Sequence, residues 1–176
     1  SAVKYDLEKI QKAYELALKI HGDQKRLSGE KIIEHSLTIA VFIIRLKLDT
    51  TSVIASLLHD TIDKGTLDID DIDKEFGTDT AFIVDGLTTI SNYSRNFSET
   101  QETVENFKNL IFNAAEDIRI IIIRLAEKVS NIDSLELLPD EVKIKSAKKC
   151  LLIYGPLAEY LGLGAFRSII EEGAFK

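Results

Sequence analysis

Apolar residues recur at steps of three and four along most of the chain, which is the spacing of one face of an α-helix. The first segment shows this pattern in its simplest form. The positions on its inward face are Leu7, Ile10, Tyr14, Ala17, Leu18 and His21. A hairpin signal, with alternating residues on both sides of a tight turn, is absent from the sequence. The pattern therefore predicts an all-α fold.

Glycine, proline and capping residues divide the pattern into successive helices. After the first helix, helical stretches are predicted over about 30–46, 49–63, 67–76 (one or two turns), 79–91, 98–115, 117–135 and from Pro139 to Tyr154, with a break at Gly155–Pro156 and a last helix from about Ala165. Ser28 is predicted to cap the helix over 30–46, and the run Asp49-Thr50-Thr51-Ser52 to supply the cap of the next one. Ser98 and Gln101 are predicted to form a capping box.

The segment 117–135 has two competing interpretations. Its stretch Ile120–Ile123 is β-branched throughout, and residue propensity alone favours a strand there. Helical spacing is nevertheless kept along the whole segment by Ile118, Ile121, Leu125, Val129 and Ile132. Because this pattern is much longer than the β-branched run, we predict a helix.

The composition is that of one globular domain. The chain has 176 residues, 45% of them apolar and 29% charged, which is enough for a core without disulfides. Its one cysteine, Cys150, favours a reducing, cytoplasmic compartment. The 22 basic and 29 acidic residues give a net charge of −7, which argues against nucleic-acid binding. No apolar run approaches the roughly 20 residues that cross a bilayer, so no membrane partner is expected.

Histidines and carboxylates fall on or beside apolar helix faces, where an unpaired charge would be costly. The histidines are His21, His35 and His59; Asp60 directly follows the last of them, and Asp63 lies four residues after it. A narrow polar stripe in the 117–135 helix consists of Arg124, Glu127, Asn131 and Ser134. Each feature alone is more often a hydrogen-bonded core residue or a solvated face. Together, imidazoles and carboxylates without thiolates suit Mn²⁺, Fe²⁺ or Zn²⁺ and hydrolysis at phosphorus.

Four segments resemble motifs of the RelA/SpoT hydrolase domain, in order and with similar spacing. They are His21–Glu30 with His35, Leu57–Asp63, Asp117–Asn131 and Ile153–Ala158. The first includes a cationic loop that leads into a helix N-terminus, a suitable place for a phosphate. The resemblance covers nearly the whole chain. It implies one HD-domain phosphohydrolase helical bundle over residues 1–176, which could be the N-terminal part of a longer synthetase/hydrolase.

The resemblance also implies an activity, which is removal of the 3′-diphosphate from (p)ppGpp to give GDP or GTP and pyrophosphate with a divalent metal, most commonly Mn²⁺. The implied metal ligands are His35, His59, Asp60 and Glu127. Asp63 and Asp60 are the implied catalytic residues, with Asp63 working on the attacking water. The implied nucleotide contacts are Lys25, Arg26, Ser28, Asn131 and Ser134, with Arg26 against the guanine. A guanine nucleotide and a covalently following synthetase domain are the implied partners.

Several positions depart from the family pattern. Glu127 stands where the family has Asp, Asp63 where it has Glu, Lys64 where it has Asp, Leu27 where it has Lys and Ser130 where it has His. These departures leave two alternatives open. One is a catalytically impaired HD domain that regulates an adjoining (p)ppGpp synthetase. The other is an HD phosphohydrolase that acts on another nucleotide, such as NADPH or a nucleoside monophosphate.

Overall fold

We describe the protein from a computed structural model that covers residues 2–62, 65–98, 100–114 and 116–174. Its helices are α1 (Leu7–His21), α2 (Ile32–Arg45), α3 (Thr50–Leu58), α4 (Ile69–Phe76), α5 (Thr78–Arg95), α6 (Gln101–Ala114), α7 (Ile118–Asn131), α8 (Asp140–Lys149), α9 (Gly155–Tyr160) and α10 (Gly164–Ala174). A 3₁₀ helix, Ile132–Leu137, follows α7, and a π-helical turn, Cys150–Tyr154, joins α8 to α9. The predicted all-α class is confirmed. None of these helices is both long and apolar enough to cross a membrane.

Helices α2, α3 and α7 contact one another at the centre of the bundle, with α1 and α5 packed on α3 and α10 packed on α7. Helices α4 and α6 pack on α5, and α8 and α9 pack on α10 and the π-helical turn. Every residue of α3 from Ser52 to Leu58 is buried. In α7 the buried face includes Ile120, Ile121 and Ile123. The β-branched run is therefore helical, as its long spacing predicts, because burial against neighbouring helices outweighs a weak residue propensity.

Two predicted N-caps are wrong and one is confirmed. Asp49 accepts a hydrogen bond from the Ser52 amide and caps α3. Ser28 does not cap α2, which begins only at Ile32, because the chain first makes a tight turn. At α6 the amide of Thr103 donates to the Thr100 hydroxyl, so the cap lies two residues after Ser98.

Several predicted helix ends also differ from the structure: α5 continues to Arg95 instead of ending at about 91, and α7 ends at Asn131, where a 3₁₀ helix replaces its predicted last turn. Helix α3 ends at Leu58 instead of continuing to about Asp63. Gly155–Pro156 does not break the chain, because a π-helical turn carries it from α8 into α9. The Gly155 amide donates to the Cys150 carbonyl, and Pro156 falls in the first turn of α9. A proline is tolerated there, since the first amides of a helix have no helical partner.

Arg119 holds the N-terminal ends of three helices together. Its guanidinium donates to Asp117, the cap of α7, over 2.5 Å. It also donates to Asp49, the cap of α3, over 2.7 Å and to Asp79 in the first turn of α5 over 2.8 Å. The hydrogen bond from Arg119 holds the pKa of Asp117 below its usual range. One planar cation thus fixes how α3, α5 and α7 meet.

We expect Arg119→Lys to lower the free energy of unfolding by about 1–2 kcal/mol, because an ammonium group cannot reproduce the fork that bridges three carboxylates. Urea denaturation followed by circular dichroism measures the change. The control is Arg167→Lys, whose partners Glu159 and Glu171 lie on the surface, where ion pairs contribute little. Equal losses in the two variants would contradict the bridging role.

Candidate active site

A cavity of about 310 Å³ lies between the loop after α1 and the C-terminal parts of α7 and α8. Its polar lining consists of Arg26, Ser28, Glu127, Lys128, Asn131, Ser134, Ser146, Lys149 and Tyr154. Its apolar lining consists of Leu27, Leu135, Leu138, Val142 and Cys150. Three cations against one carboxylate suit an anionic ligand, and the apolar side chains suit a ring or another apolar group on that ligand.

Several buried polar atoms that line this cavity have no hydrogen-bond partner in the protein. They are the hydroxyl of Ser28, the side-chain carbonyl of Asn131 and the hydroxyl of Tyr154. Buried polar groups are nearly always paired, so unpaired ones that face a cavity indicate a place where a ligand or water binds. Ser134 lies beside them and donates its hydroxyl to the Asn131 backbone carbonyl over 2.9 Å.

His59 lies directly after the end of α3 and is 4% exposed. Its Nδ1 is 2.7 Å from the backbone carbonyl of Ser56. A carbonyl only accepts hydrogen bonds, so Nδ1 carries the proton and Nε2 keeps a free electron pair. That Nε2 is buried without a hydrogen-bond partner, and it lies 3.2 Å from Asp60 Oδ2 in poor hydrogen-bond geometry.

His35 is on α2 and is 1% exposed. Its Nδ1 is 3.1 Å from Nη1 of Arg26, and its Nε2 is buried without a partner. Burial and the positive charge of Arg26 lower the pKa of His35 to about 4, so the ring is neutral at pH 7. Glu127, His59 and Asp60 also act electrostatically on this ring, which places the four side chains in one neighbourhood.

Glu127 is a partly buried carboxylate on α7, and it pairs with Arg124 on the same helix. Burial raises the pKa of Glu127, but the charges of Arg124 and Lys128 outweigh burial and hold the pKa far below its usual range. Arg124 also donates to the Leu87 carbonyl over 2.6 Å and to the Ser91 hydroxyl over 2.5 Å, both on α5. The carboxylate is therefore ionised and held by a cation of the protein itself.

These donors match a divalent metal in chemical type. Two buried imidazoles with unpartnered Nε2 atoms lie near the carboxylates of Asp60 and Glu127, and nitrogen and oxygen donors of this kind suit Mn²⁺ or Zn²⁺. The side chains are not arranged as a ligand shell. Across the ranges that the structure describes, no three His, Cys, Asp or Glu side chains surround one point. Glu127 faces Arg124 instead and would have to turn away from it to join the imidazoles.

Four of the five residues predicted to contact the nucleotide line the cavity, and one does not. Arg26 and Ser28 line the cavity from the loop, and Asn131 and Ser134 line it from the end of α7 and the 3₁₀ helix. Lys25 is exposed and does not belong to the cavity lining. Asp63 and its neighbour Lys64 lie outside the described residues.

Sequence reasoning missed the wall of the cavity formed by α8 and the π-helical turn. Lys149 donates to the backbone carbonyl of Ser94 over 2.6 Å, and burial together with the charge of Lys128 lowers its pKa to about 8. Lys128 lies over the ring of Tyr154, 5.1 Å from its centre. The sequence did indicate that Val142, Ser146 and Lys149 share one helix face, because they follow one another at helical spacing.

The sequence profile of the family described as HD domain matches residues 13–164. The chain belongs to the HD domain family. HD hydrolases depend on divalent metals, which agrees with the nitrogen and oxygen donors of the site. The fold expected from the sequence, an HD-domain helical bundle, is confirmed.

Relatives of this HD domain carry names that confirm the resemblance to RelA/SpoT proteins. A GTP pyrophosphokinase of Myxococcus xanthus is 37% identical over 173 residues, which are 97% of this chain and 23% of the relative. A guanosine-3′,5′-bis(diphosphate) 3′-pyrophosphohydrolase of Aquifex aeolicus is 37% identical over 169 residues, 96% of this chain and 24% of the relative. The chain thus spans about a quarter of the length of these relatives.

A solved structure supports the fold. It is described as a metazoan ortholog of SpoT that hydrolyses ppGpp, and it matches with a TM-score of 0.67 over 98% of this chain and 94% of that one. At 19% sequence identity, this similarity bears on the arrangement of the helices and not on the chemistry of the site.

Proposed function

We propose that this HD domain hydrolyses the 3′-diphosphate of (p)ppGpp, giving GDP or GTP and pyrophosphate. The observation that carries the proposal is the pair of buried imidazoles with unpartnered Nε2 atoms beside a cavity lined by three cations. The pyrophosphohydrolase of Aquifex aeolicus, similar over 96% of this chain, supports the choice of substrate.

We propose His35, His59, Asp60 and Glu127 as the residues that would hold the metal, and Mn²⁺ as the ion. A divalent ion there would supply activation of the attacking water and neutralisation of charge on the diphosphate. Asp60 is half-buried next to His59, where its carboxylate would bind the ion beside Nε2 of that ring. Glu127 would contribute one negative charge, because its pKa lies far below neutrality.

The cavity supplies the groups that would hold the nucleotide. Arg26, Lys128 and Lys149 offer positive charge to the phosphates and the base of a nucleotide. The loop before α2 places Ser28 in the same cavity wall as Arg26. The unpartnered hydroxyl of Ser28 and carbonyl of Asn131 match donors and acceptors of a ribose or a base. Ser134 supports Asn131 from one turn further along the chain. Lys25 would act only from outside the cavity, on a phosphate that extends into solvent.

Asp63 is proposed to accept a proton from the attacking water. It lies four residues after His59 in the sequence. Its place in the reaction rests on the resemblance of the segment Leu57–Asp63 to the family motif. A synthetase domain that follows the hydrolase domain in the same polypeptide likewise stays a prediction of that resemblance.

The test is release of pyrophosphate from ppGpp by the purified chain in Mn²⁺, with EDTA and Zn²⁺ as comparisons and NADPH as a second substrate. We expect turnover of ppGpp that requires the metal. Turnover of NADPH alone would replace the proposed substrate. If folded protein turned over neither substrate, the proposed enzymatic activity would be wrong and a regulatory domain would be favoured. The pairing of Glu127 with Arg124 is the observation that favours this alternative.

A further inference from the structure

The two imidazoles of the site are held in opposite tautomers. His59 donates from Nδ1 to the Ser56 carbonyl, so its Nε2 has a free electron pair. His35 faces the guanidinium of Arg26 through Nδ1, and a guanidinium can only donate. Nδ1 of His35 is therefore the acceptor, and the proton of this neutral ring lies on Nε2. A nitrogen that carries a proton cannot bind a metal ion.

A second side chain near Nδ1 of His35, that of Glu30, lies in the same loop. Glu30 Oε2 lies 3.6 Å from this nitrogen and 3.4 Å from Nη1 of Arg26. A carboxylate accepts only, so Glu30 selects the tautomer that Arg26 excludes. Histidine ligands of metals usually donate their other N–H to such a carboxylate or carbonyl.

The loop holds the two competing side chains in a fixed relation. The amide of Arg26 donates to the Glu30 carbonyl over 2.8 Å, and the amide of Gly29 donates to the Arg26 carbonyl over 2.9 Å. The side chain of Arg26 is 27% exposed and also lines the cavity. It can therefore turn toward a ligand in the cavity without rearrangement of the backbone.

We propose that Arg26 and Glu30 are positioning residues that couple occupancy of the cavity to the ability of His35 to bind metal. An anionic, ring-bearing ligand in the cavity draws the Arg26 side chain away from His35. Nδ1 of His35 then donates to the Glu30 carboxylate, and the electron pair of Nε2 becomes free. The ring stays neutral, since one proton leaves Nε2 for solvent and another joins Nδ1. The inference rests on the proposed function, because it assumes the metal at His35.

The coupling is reciprocal, so the cavity ligand and the metal each strengthen binding of the other by the same factor. For the wild-type chain we expect GDP, used as a probe that is not hydrolysed, to tighten Mn²⁺ binding by about 10-fold. Electron paramagnetic resonance of free Mn²⁺ measures this directly.

Two variants separate the roles of the loop residues. Arg26→Met is expected to bind Mn²⁺ about 10-fold more tightly than wild type without any nucleotide, because the competing donor is gone. Glu30→Ala is expected to bind Mn²⁺ about 10- to 100-fold more weakly, as is typical when the outer partner of a histidine ligand is lost. Lys31→Met is the matched control, because Lys31 is in the same loop but pairs with Asp23 at the surface, and it should leave both quantities unchanged.

A measurement without metal keeps the inference separate from the proposed function. Long-range ¹H–¹⁵N spectra report the tautomer of each histidine, and a His35→Gln spectrum assigns the signal. We expect the Nε2–H form of His35 in wild type and the Nδ1–H form in Arg26→Met. Unchanged Mn²⁺ affinity and an unchanged tautomer in Arg26→Met would overturn the inference. A changed tautomer in a chain that binds no Mn²⁺ would uphold the exchange between Arg26 and Glu30 and overturn the proposed function.

Discussion

Replacing His59 with alanine is expected to abolish divalent-metal binding and hydrolysis of ppGpp together. His59 presents the one imidazole nitrogen of the pair that is already free to bind, because Ser56 holds its Nδ1 proton. Loss of an outer partner of a metal ligand already costs about 10- to 100-fold in affinity or activity, so loss of a ligand itself should exceed that range. Mn²⁺ titration and pyrophosphate release measure the two effects on the same preparation.

The control for this variant is His21→Ala. His21 is also a buried histidine, but it stands outside the proposed ligand set. We expect His21→Ala to keep the metal stoichiometry of wild type, even where it lowers stability. Circular dichroism checks that both variants remain helical. If His59→Ala kept either its metal or its activity, the proposed site would be wrong.

Replacing Arg124 with methionine is expected to destabilise the protein by about 3–5 kcal/mol, which is the range for removal of one partner from a buried ion pair. The side chain of Arg124 is 4% exposed, and that of Glu127 is 13% exposed. Without the guanidinium, the Glu127 carboxylate would lose the nearest opposing charge, while burial would still disfavour its ionised form. Urea denaturation in EDTA measures the loss in the absence of metal.

Two further variants decide whether the buried charge is the cause. Ser91→Ala removes only one hydrogen bond to Arg124 and should cost about 1 kcal/mol. The double variant Arg124→Met with Glu127→Leu removes both charges and should recover most of the loss. If the double variant were as unstable as Arg124→Met alone, lost packing, and not the unpaired carboxylate, would explain the effect.

Much of the fold could be predicted because it depends on patterns longer than any local exception. The spacing along α7 correctly outweighed the β-branched run Ile120–Ile123, and a cap for α3 within residues 49–52 followed from the residue types. Predictions that depended on two or three residues were less reliable. Ser28 has the chemistry of a cap, but a tight turn separates it from α2. The helical path through Gly155–Pro156 depends on a π-helical turn that propensities do not indicate.

The candidate site was predictable in its residue types more than in its contacts. The sequence places Arg124 and Glu127 one turn apart on a polar stripe, but it does not show that the two side chains pair with each other. The hydrogen bond from Arg26 to His35 joins residues nine positions apart and depends on how the loop folds back. Such choices among competing partners are decided by three-dimensional packing, which spacing alone does not specify.

The π-helical turn Cys150–Tyr154 has a consequence for insertions and deletions in this domain. A π-turn contains one residue more than a regular α-helical path requires. Deletion of one residue from the turn, such as the exposed Leu152, would allow an uninterrupted α-helix from α8 into α9 and leave the later residues in nearly their present orientation. Deletion of one residue from the regular part of α8 would instead rotate all later residues by about 100° relative to those before it. We therefore expect a one-residue deletion to be tolerated in this turn during divergence but not in the regular helices on either side.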